Sequence, residues 1–242
     1  MSEPSVLLSM RDLAIRTPQR FLVDGVSFDV VEGKVTAVVG ASGSGKTLSA
    51  RAAMGVLDVD PGLQRGSLHY PEQSNRDWFE GVRGEGPRAQ ARLLRETRYL
   101  RGGYVTYSPQ SASSALNPGR TVGRQLAIAV RRRREVPGDI SRAVIEILEE
   151  VGLPARAARA VPSELSGGMA QRAAVAIAVA PNPTIMIADE PETGLDPVLR
   201  RLVTELMIEV ATQRGVGMLL ITHNMDTVER VADTVVQIGG HA

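Results

Sequence analysis

The sequence contains no cysteine, and this absence excludes several classes of site at once. Disulfide bonds, zinc sites built from thiolates and cysteine-held iron–sulfur clusters all need that residue. Long hydrophobic runs are also absent, since the longest, residues 173–180, is far shorter than the roughly 20 residues that span a bilayer. The N-terminus lacks the basic start and apolar stretch of a secretory signal. We therefore expect another chain to make any membrane crossing that this protein serves.

Aromatic residues are scarce as well, and the net charge is small. Aromatics make up 3% of the 242 residues, and a formal charge of +1 creates no global attraction for nucleic acid or acidic lipid. The 43% hydrophobic content is enough for one large domain or for a domain with an inserted subdomain. Lysine is rare too, because only Lys34 and Lys46 are lysines among 28 basic residues. A lysine at 46 therefore indicates a place for a compact ammonium group rather than a wide guanidinium.

What the sequence does contain is a glycine-rich loop between an apolar strand, residues 35–39, and a helix-forming stretch, residues 48–54. Its spacing, G-x-x-x-x-G-K-[ST], is that of a phosphate-binding loop, in which glycines let successive N–H groups point at an anion. Lys46 adds charge for the outer phosphates, and Thr47 offers its hydroxyl to Mg²⁺. The predicted phosphate-binding residues are Gly40, Ala41, Ser42, Gly43, Ser44, Gly45, Lys46 and Thr47.

The pattern of apolar residues predicts an α/β fold that begins with two strands, residues 6–15 and 22–31. Phe21 is a candidate for stacking on adenine, and an ordinary core phenylalanine is the alternative. Residues 58–103 are rich in glycine, proline and arginine, and one helix is predicted there over 88–100.

Two features in the middle of the chain have plain structural interpretations. Trp78 and Phe79 predict a small local core, with a partner surface as the alternative. Helices are predicted over 121–134 and 139–151, and the four arginines that end the first are expected to be solvated rather than to bind nucleic acid. We therefore expect a helical insert over residues 111–170.

Polar residues follow three of the predicted strands. Gln110 follows residues 104–107, Asp189 and Glu190 follow residues 184–188, and His223 follows residues 218–222. Ligands in open α/β sheets bind at the carboxyl ends of parallel strands, so Asp189, Glu190 and His223 are expected beside the phosphate loop. Gln110, at the end of its strand, could reach an ion or water. One carboxylate there suits a Mg²⁺ ion, and its neighbour suits a general base.

Two predicted helices begin with polar residues. Ser-Gly-Gly at 166–168 opens a helix of small residues and forms a second cluster of N–H groups for an anion, with a plain N-cap by Ser166 as the alternative. Asp196 is predicted to cap a helix over residues 197–213. The predicted core face of this helix consists of Leu199, Leu202, Val203, Leu206 and Val210.

In this order, these segments resemble the nucleotide-binding subunit of an ABC transporter, and the resemblance covers nearly the whole chain. Its discriminating part is Ser-Gly-Gly-x-x-Gln, because many ATPases have the phosphate loop and few carry this segment after a helical insert. Besides the loop, the resemblance is carried by Gln110, Leu165-Ser166-Gly167-Gly168-Met169-Ala170-Gln171, Ile185-Met186-Ile187-Ala188-Asp189-Glu190-Pro191, Leu195-Asp196-Pro197 and His223.

The resemblance implies a P-loop NTPase fold of the ABC-ATPase type, with an N-terminal antiparallel β part and an inserted helical subdomain. Residues 1–110 and 171–242 would form the ATP-binding core, and residues 111–170 the insert.

It also implies the roles of the site residues. Thr47, Gln110 and Asp189 would serve the Mg²⁺ shell. Glu190 would activate water, and His223 would contact the γ-phosphate. Ser166, Gly167 and Gly168 would close on the ATP of a facing subunit, and Asp196 is also assigned to the nucleotide site.

The function implied is an ATPase subunit that powers transport of a peptide or a metal chelate, as an importer, through separate transmembrane permease subunits. The expected partners also include a second ATPase chain, identical or related, in a head-to-tail dimer, and an extracytoplasmic solute-binding protein, but no nucleic acid. The expected location is the cytoplasmic face of the membrane. Residues 110–118 are similar to a Q-x-x-x-x-S-L-N-P stretch of peptide and nickel importers, although Ser111 and Ala112 replace Asp-Pro and Ala115 replaces Ser. These departures leave the cargo open.

Other classes of ATPase remain as alternatives. A DNA-associated ATPase with the same signature would show heptad arms or a basic stripe, and the sequence has neither. A translation-associated ATPase would usually carry two cassettes, and the sequence has one phosphate loop. A small-molecule kinase would leave the Ser-Gly-Gly segment unexplained.

Overall fold

A computed structural model describes residues 4–110, 115–193 and 197–239. Contacts between Cα atoms divide the chain into two compact units, the first running up to Arg101 and again from Gly217, and the second spanning Gly102–Val216. None of the helices in these described stretches is both long and apolar enough to cross a membrane.

The elements alternate between strands and helices. In chain order they are β1 (Val6–Arg16), β2 (Phe21–Val31), β3 (Val35–Val39), α1 (Lys46–Ala53), β4 (Gly62–His69), α2 (Gly86–Glu96), β5 (Val105–Ser108), α3 (Val122–Val130), α4 (Ile140–Glu150), α5 (Gly167–Val179), β6 (Ile185–Asp189), α6 (Pro197–Gln213), β7 (Gly217–Ile221), α7 (Met225–Val231) and β8 (Thr234–Gln237), with short 3₁₀ turns between some of them.

The first unit contains an antiparallel sheet in the order β2-β1-β4. The predicted strands β1 and β2 are confirmed, and β1 forms much of the core, with Met10, Leu13 and Ile15 fully buried. β4 is a strand that the sequence does not predict, because glycine is depleted in strands and β4 contains two glycines. One of them, Gly66, has φ +114° and lies so close to β1 that a Cβ would be 2.9 Å from the carbonyl oxygen of Arg11.

The same unit also holds three parallel strands, with β3 between β7 and β8. Every residue of β3 and β7 is buried, as expected for continuous apolar strands in parallel sheets. Because the strands are parallel, the segments that follow β3 and β7 emerge at the same edge. These segments contain the phosphate loop and His223.

Trp78 and Phe79 form the predicted local core and not the alternative partner surface. Their exposed fractions are only 4% and 0%, and the indole of Trp78 meets the ring of Tyr70 edge to face at 6.2 Å between centroids. The nearby helix α2 begins two residues earlier than predicted, with Pro87 in its first turn, and gives way to a 3₁₀ turn over Thr97–Tyr99.

In the second unit, α3 ends at Val130, four residues before the predicted end. The four arginines therefore follow the helix, and Arg133 is not simply solvated, because its Nε donates to the carbonyl oxygen of Ala180 at 2.8 Å. Desolvation by burial, together with the nearby Arg214, lowers the pKa of Arg133. Arg133 thus links the end of α3 to the end of α5.

The helices α4 and α6 lie where the sequence predicts them. Asp139 caps α4, since its Oδ1 accepts from the N–H of Arg142 at 2.9 Å. In α6 the predicted core position of Leu202 is wrong, because 48% of that residue is exposed. The predicted core positions of Val203 and Val210 are confirmed, and Met207 is buried with them, four residues from Val203 on one helix face.

Candidate functional site

The phosphate loop joins the buried strand β3 to the start of α1. Gly45 directly precedes the helix with φ +94°, and a Cβ there would lie 2.6 Å from both the carbonyl oxygen of Leu22 and Cγ2 of Val23. Both the left-handed backbone and the close approach require glycine. Lys46 is only 6% exposed, and its Nζ donates to the carbonyl oxygens of Gly40 and Ala41, each at 2.9 Å. The ammonium group therefore lies inside the curve of the loop.

The end of β8 supports the same loop. A Cβ on Gly40 would lie 2.3 Å from the carbonyl oxygen of Ile238 and 2.8 Å from Oγ of Ser44, so the backbone of the loop packs directly on this segment. Among the described residues no group hydrogen-bonds the buried Oγ of Ser44. A buried hydroxyl without a protein partner fits a loop that binds a ligand or water.

His223 and Phe21 complete the candidate residues of the first unit. His223 is exposed and follows β7 at the edge from which the phosphate loop emerges, where the N–H of Thr222 donates to the carbonyl oxygen of Val38 at 3.3 Å. Phe21 is 45% exposed, with its ring centroid 5.5 Å from Cζ of Arg16, so the alternative of a core phenylalanine is wrong. Stacking of Phe21 on adenine stays a prediction.

The two acidic residues at the end of β6 lie in the second unit, and each has its own donors. Asp189 is 3% exposed, and its Oδ2 accepts from the hydroxyl of Tyr107 at 2.7 Å. Glu190 has φ +44°, a left-handed conformation that is uncommon for a residue with a side chain. Its Oε2 accepts from Nε2 of Gln110 and from Oγ1 of Thr193, both at 3.1 Å. The structure thus brings the predicted Gln110 and Glu190 together.

The pairing of β5 with β6 explains these contacts. The strands are parallel, and Tyr107 lies beside Ile187. Side chains alternate between faces, so Ile187 and Asp189 share the face on which Tyr107 also lies. Tyr107 belongs to none of the sequence motifs described above. The available signal was its position on β5, three residues before Gln110.

The Ser-Gly-Gly segment begins α5. Oγ of Ser166 accepts from the N–H of Met169 at 3.3 Å, so the capping interpretation is confirmed. Ser166 and Gly167 are exposed, and Gly167 has open space where a Cβ would point. Anion binding by this helix start stays a prediction. The remaining candidate, Asp196, lies outside the described residues.

A largely apolar groove of about 360 Å³ lies within the second unit. It is lined by residues that include Tyr107, Leu116, Ile128, Ala129, Ala174 and Ile177. One of these lining residues, Tyr107, donates to Asp189. Within the described parts of the chain no three acidic or histidine side chains cluster as a metal site would require.

Comparison with known families gives the decisive match. The family model described as "ABC transporter" matches residues 23–193. The chain belongs to the ABC transporter family. The chain is also 35% identical over 236 residues to "Peptidoglycan transport ATP-binding protein YejF" of Agrobacterium fabrum, a match that covers 95% of this chain and 41% of that protein.

Two further relatives of this ABC transporter chain have similar identity. It is 35% identical over 217 residues to "Dipeptide transport ATP-binding protein DppD" of Escherichia coli, covering 88% of this chain and 62% of that protein. It is 35% identical over 227 residues to "Putative peptide import ATP-binding protein BOV_A0348" of Brucella ovis, covering 91% and 64%. The chain thus spans less than two thirds of the length of these relatives.

Solved structures of ABC transporter proteins share the fold. CbiO1 of Clostridium perfringens superimposes with a TM-score of 0.74 at 21% identity, covering 96% of this chain and 84% of that one. A structure described as "ATP binding subunit of ABC transporter" gives 0.71 at 25% identity, covering 96% and 85%. The predicted fold class, an α/β ABC-ATPase fold with an antiparallel β part and a helical insert, is confirmed.

Proposed function

We propose that this chain is an ATP-binding and ATP-hydrolysing subunit that powers import of a peptide or a metal chelate through separate transmembrane subunits. The observation that carries the hydrolytic part is the Asp189–Glu190 pair, because each carboxylate is held by separate donors at the end of β6. The transport part is supported by three relatives at 35% identity. Each of their names describes transport or import.

The residues fit a nucleotide with Mg²⁺. Lys46 and the loop N–H groups would bind the outer phosphates, and the orphaned hydroxyl of Ser44 offers one more donor. Thr47, Gln110 and Asp189 carry the oxygen atoms that Mg²⁺ prefers. When bound, Mg²⁺ neutralises charge on the phosphates.

The remaining roles concern the attacking water and the γ-phosphate. Glu190 would accept the proton of the attacking water, with its carboxylate oriented by Gln110 and Thr193. His223 would contact the γ-phosphate from the edge where the phosphate loop emerges. Phe21 would stack on the adenine, and its exposure leaves the ring accessible.

The exposed start of α5 supports a site shared by two chains. Ser166, Gly167 and Gly168, with Asp196, would close on ATP held by a second ATPase chain in a head-to-tail dimer. We assign the ATP-binding core to residues 1–110 and 171–242 and the helical subdomain to residues 111–170. Separate transmembrane permease subunits would bind this chain. This would hold the chain at the cytoplasmic face of the membrane, where import would also use an extracytoplasmic solute-binding protein.

A Glu190→Gln variant tests the proposal. We expect it to bind ATP as the wild type does and to lose at least ~100-fold in turnover, because an amide can hold water but cannot accept its proton. Binding is measured with a fluorescent ATP analogue, and turnover by phosphate release from the chain with its membrane partners. Glu146→Gln is the control, since Glu146 lies in an exposed ion pair with Arg142. Phosphate release by Glu190→Gln at the control's rate would contradict the proposal.

A further inference from the structure

The hydroxyl of Tyr107 donates to Oδ2 of Asp189 at 2.7 Å. Because Asp189 is 3% exposed, solvent supplies little to this carboxylate, and the phenol fixes its rotation. The neighbouring Glu190 is held by Gln110 and Thr193 instead. Tyr107 therefore contributes to the orientation of Asp189.

The backbone of Tyr107 is held in the sheet, where it pairs with Ile187 of β6. The residue also lines the apolar groove. A side chain that starts from a paired strand and ends in a hydrogen bond to Asp189 can hold its hydroxyl at one position. This is how groups next to a metal ligand orient that ligand, and their loss typically weakens metal binding about 10–100-fold.

We propose that Tyr107 is a positioning residue that holds Asp189 in the orientation needed to bind Mg²⁺ with ATP. The inference rests on the proposed function and adds to it a residue outside the motifs that identify the family. The hydroxyl should therefore strengthen ATP binding when Mg²⁺ is present. Without Mg²⁺ it should have little effect on ATP affinity.

The experiment compares wild type, Tyr107→Phe and Tyr70→Phe. Tyr107→Phe keeps the ring in the groove and removes the hydroxyl. Tyr70→Phe is the matched control, because it also removes a tyrosine hydroxyl that donates to a protein oxygen. That oxygen is the carbonyl of Ala53, in the first unit. ATP affinity is measured by displacement of a fluorescent ATP analogue, once in Mg²⁺ and once in EDTA, and thermal unfolding verifies that all three chains are folded.

We expect the three proteins to bind ATP within about twofold of one another in EDTA. In Mg²⁺ only Tyr107→Phe should bind about tenfold more weakly. Equal affinities in Mg²⁺ would overturn the inference and leave the proposed function standing. An equal loss in both conditions would also overturn it, since it would indicate a structural role. A wild type that binds no ATP in either condition would overturn the proposed function itself.

Discussion

Lys46 is the residue on which nucleotide affinity should depend most. Its ammonium group is buried inside the phosphate loop, where it now donates to two backbone carbonyl oxygens. A phosphate oxygen would be a stronger acceptor than either carbonyl, because the hydrogen bond would join two charged groups.

We therefore expect Lys46→Ala to weaken ATP binding by about 100-fold, since hydrogen bonds to charged groups are worth about 1.5–3 kcal/mol. The chain offers a matched control in its other lysine, Lys34, whose exposed ammonium group pairs with Asp233 at 2.8 Å. Lys34→Ala should bind a fluorescent ATP analogue as the wild type does. If the two variants bind equally well, the loop is not the phosphate site.

At the scale of elements, the carboxylate of Asp77 holds the segment that follows β4. Oδ1 of Asp77 accepts from the N–H groups of Leu68 and Phe79, each at 3.0 Å, and its Oδ2 pairs with Arg83. Desolvation acts to raise the pKa of Asp77, but the hydrogen bonds from Arg83 and the two backbone groups outweigh it, so the pKa is lowered.

A lowered pKa in the folded state means that the unfolded chain binds the proton more tightly. The stabilisation by Asp77 is therefore present above the unfolded pKa of about 3.9 and is lost as the pH falls through the folded pKa. We expect Asp77→Asn to reduce the free energy of unfolding by about 1 kcal/mol at pH 7 and by less at pH 3. Urea unfolding at both pH values measures this. Asp58→Asn, in an exposed pair with Arg51, should show almost no change. If Asp77→Asn reduces the free energy of unfolding equally at both pH values, the charge of Asp77 is not the source of the stabilisation.

The elements also show which parts of the fold the sequence can predict. β3, β6 and β7 are continuous apolar runs, and the period-two pattern of β2 is equally plain, so their positions follow from burial alone. The sequence predicts the end of α3 four residues too late, because arginine is a good helix former and the contact of Arg133 with Ala180 is not visible in the sequence.

Some residues of the candidate site can likewise be predicted from the sequence, and others cannot. Gly45, Lys46 and Asp189 are predictable because their chemistry depends on neighbours in sequence. The contact of Tyr107 with Asp189 joins residues 82 positions apart, and it becomes visible only once β5 is paired with β6.

At the scale of the whole molecule, the two helix starts that suit anions belong to different units, Lys46 opening α1 in the first and Gly167 opening α5 in the second. The proposed dimer gives each ATP one helix start from each chain. This arrangement makes a strong prediction about mixtures of variants.

Ser166→Arg should bind ATP normally and hydrolyse it poorly, because the arginine obstructs closure on the partner. If the dimer is formed by identical chains, mixing Ser166→Arg with Lys46→Ala should restore hydrolysis, since one site then combines an intact loop with an intact Ser-Gly-Gly segment. Phosphate release is measured for each variant alone and for the mixture. Ser163→Arg, at an exposed serine three residues away, is the control and should hydrolyse ATP unaided. Full hydrolysis by isolated monomers at any protein concentration would contradict a shared site.

The position of β3 between β7 and β8 also bears on how the protein is made. The N–H of Val35 donates to Asp233, 198 residues further along the chain, and the phosphate loop packs on Ile238. A ribosome adds about 5–20 residues per second, so β3 waits roughly 10–40 s for its neighbouring strands. During that interval the five residues of β3, four of them apolar, lack the strands β7 and β8 as neighbours, and the phosphate loop lacks Ile238. We therefore expect nucleotide to have no effect on the early steps of folding and to stabilise the chain only after β7 and β8 have joined β3.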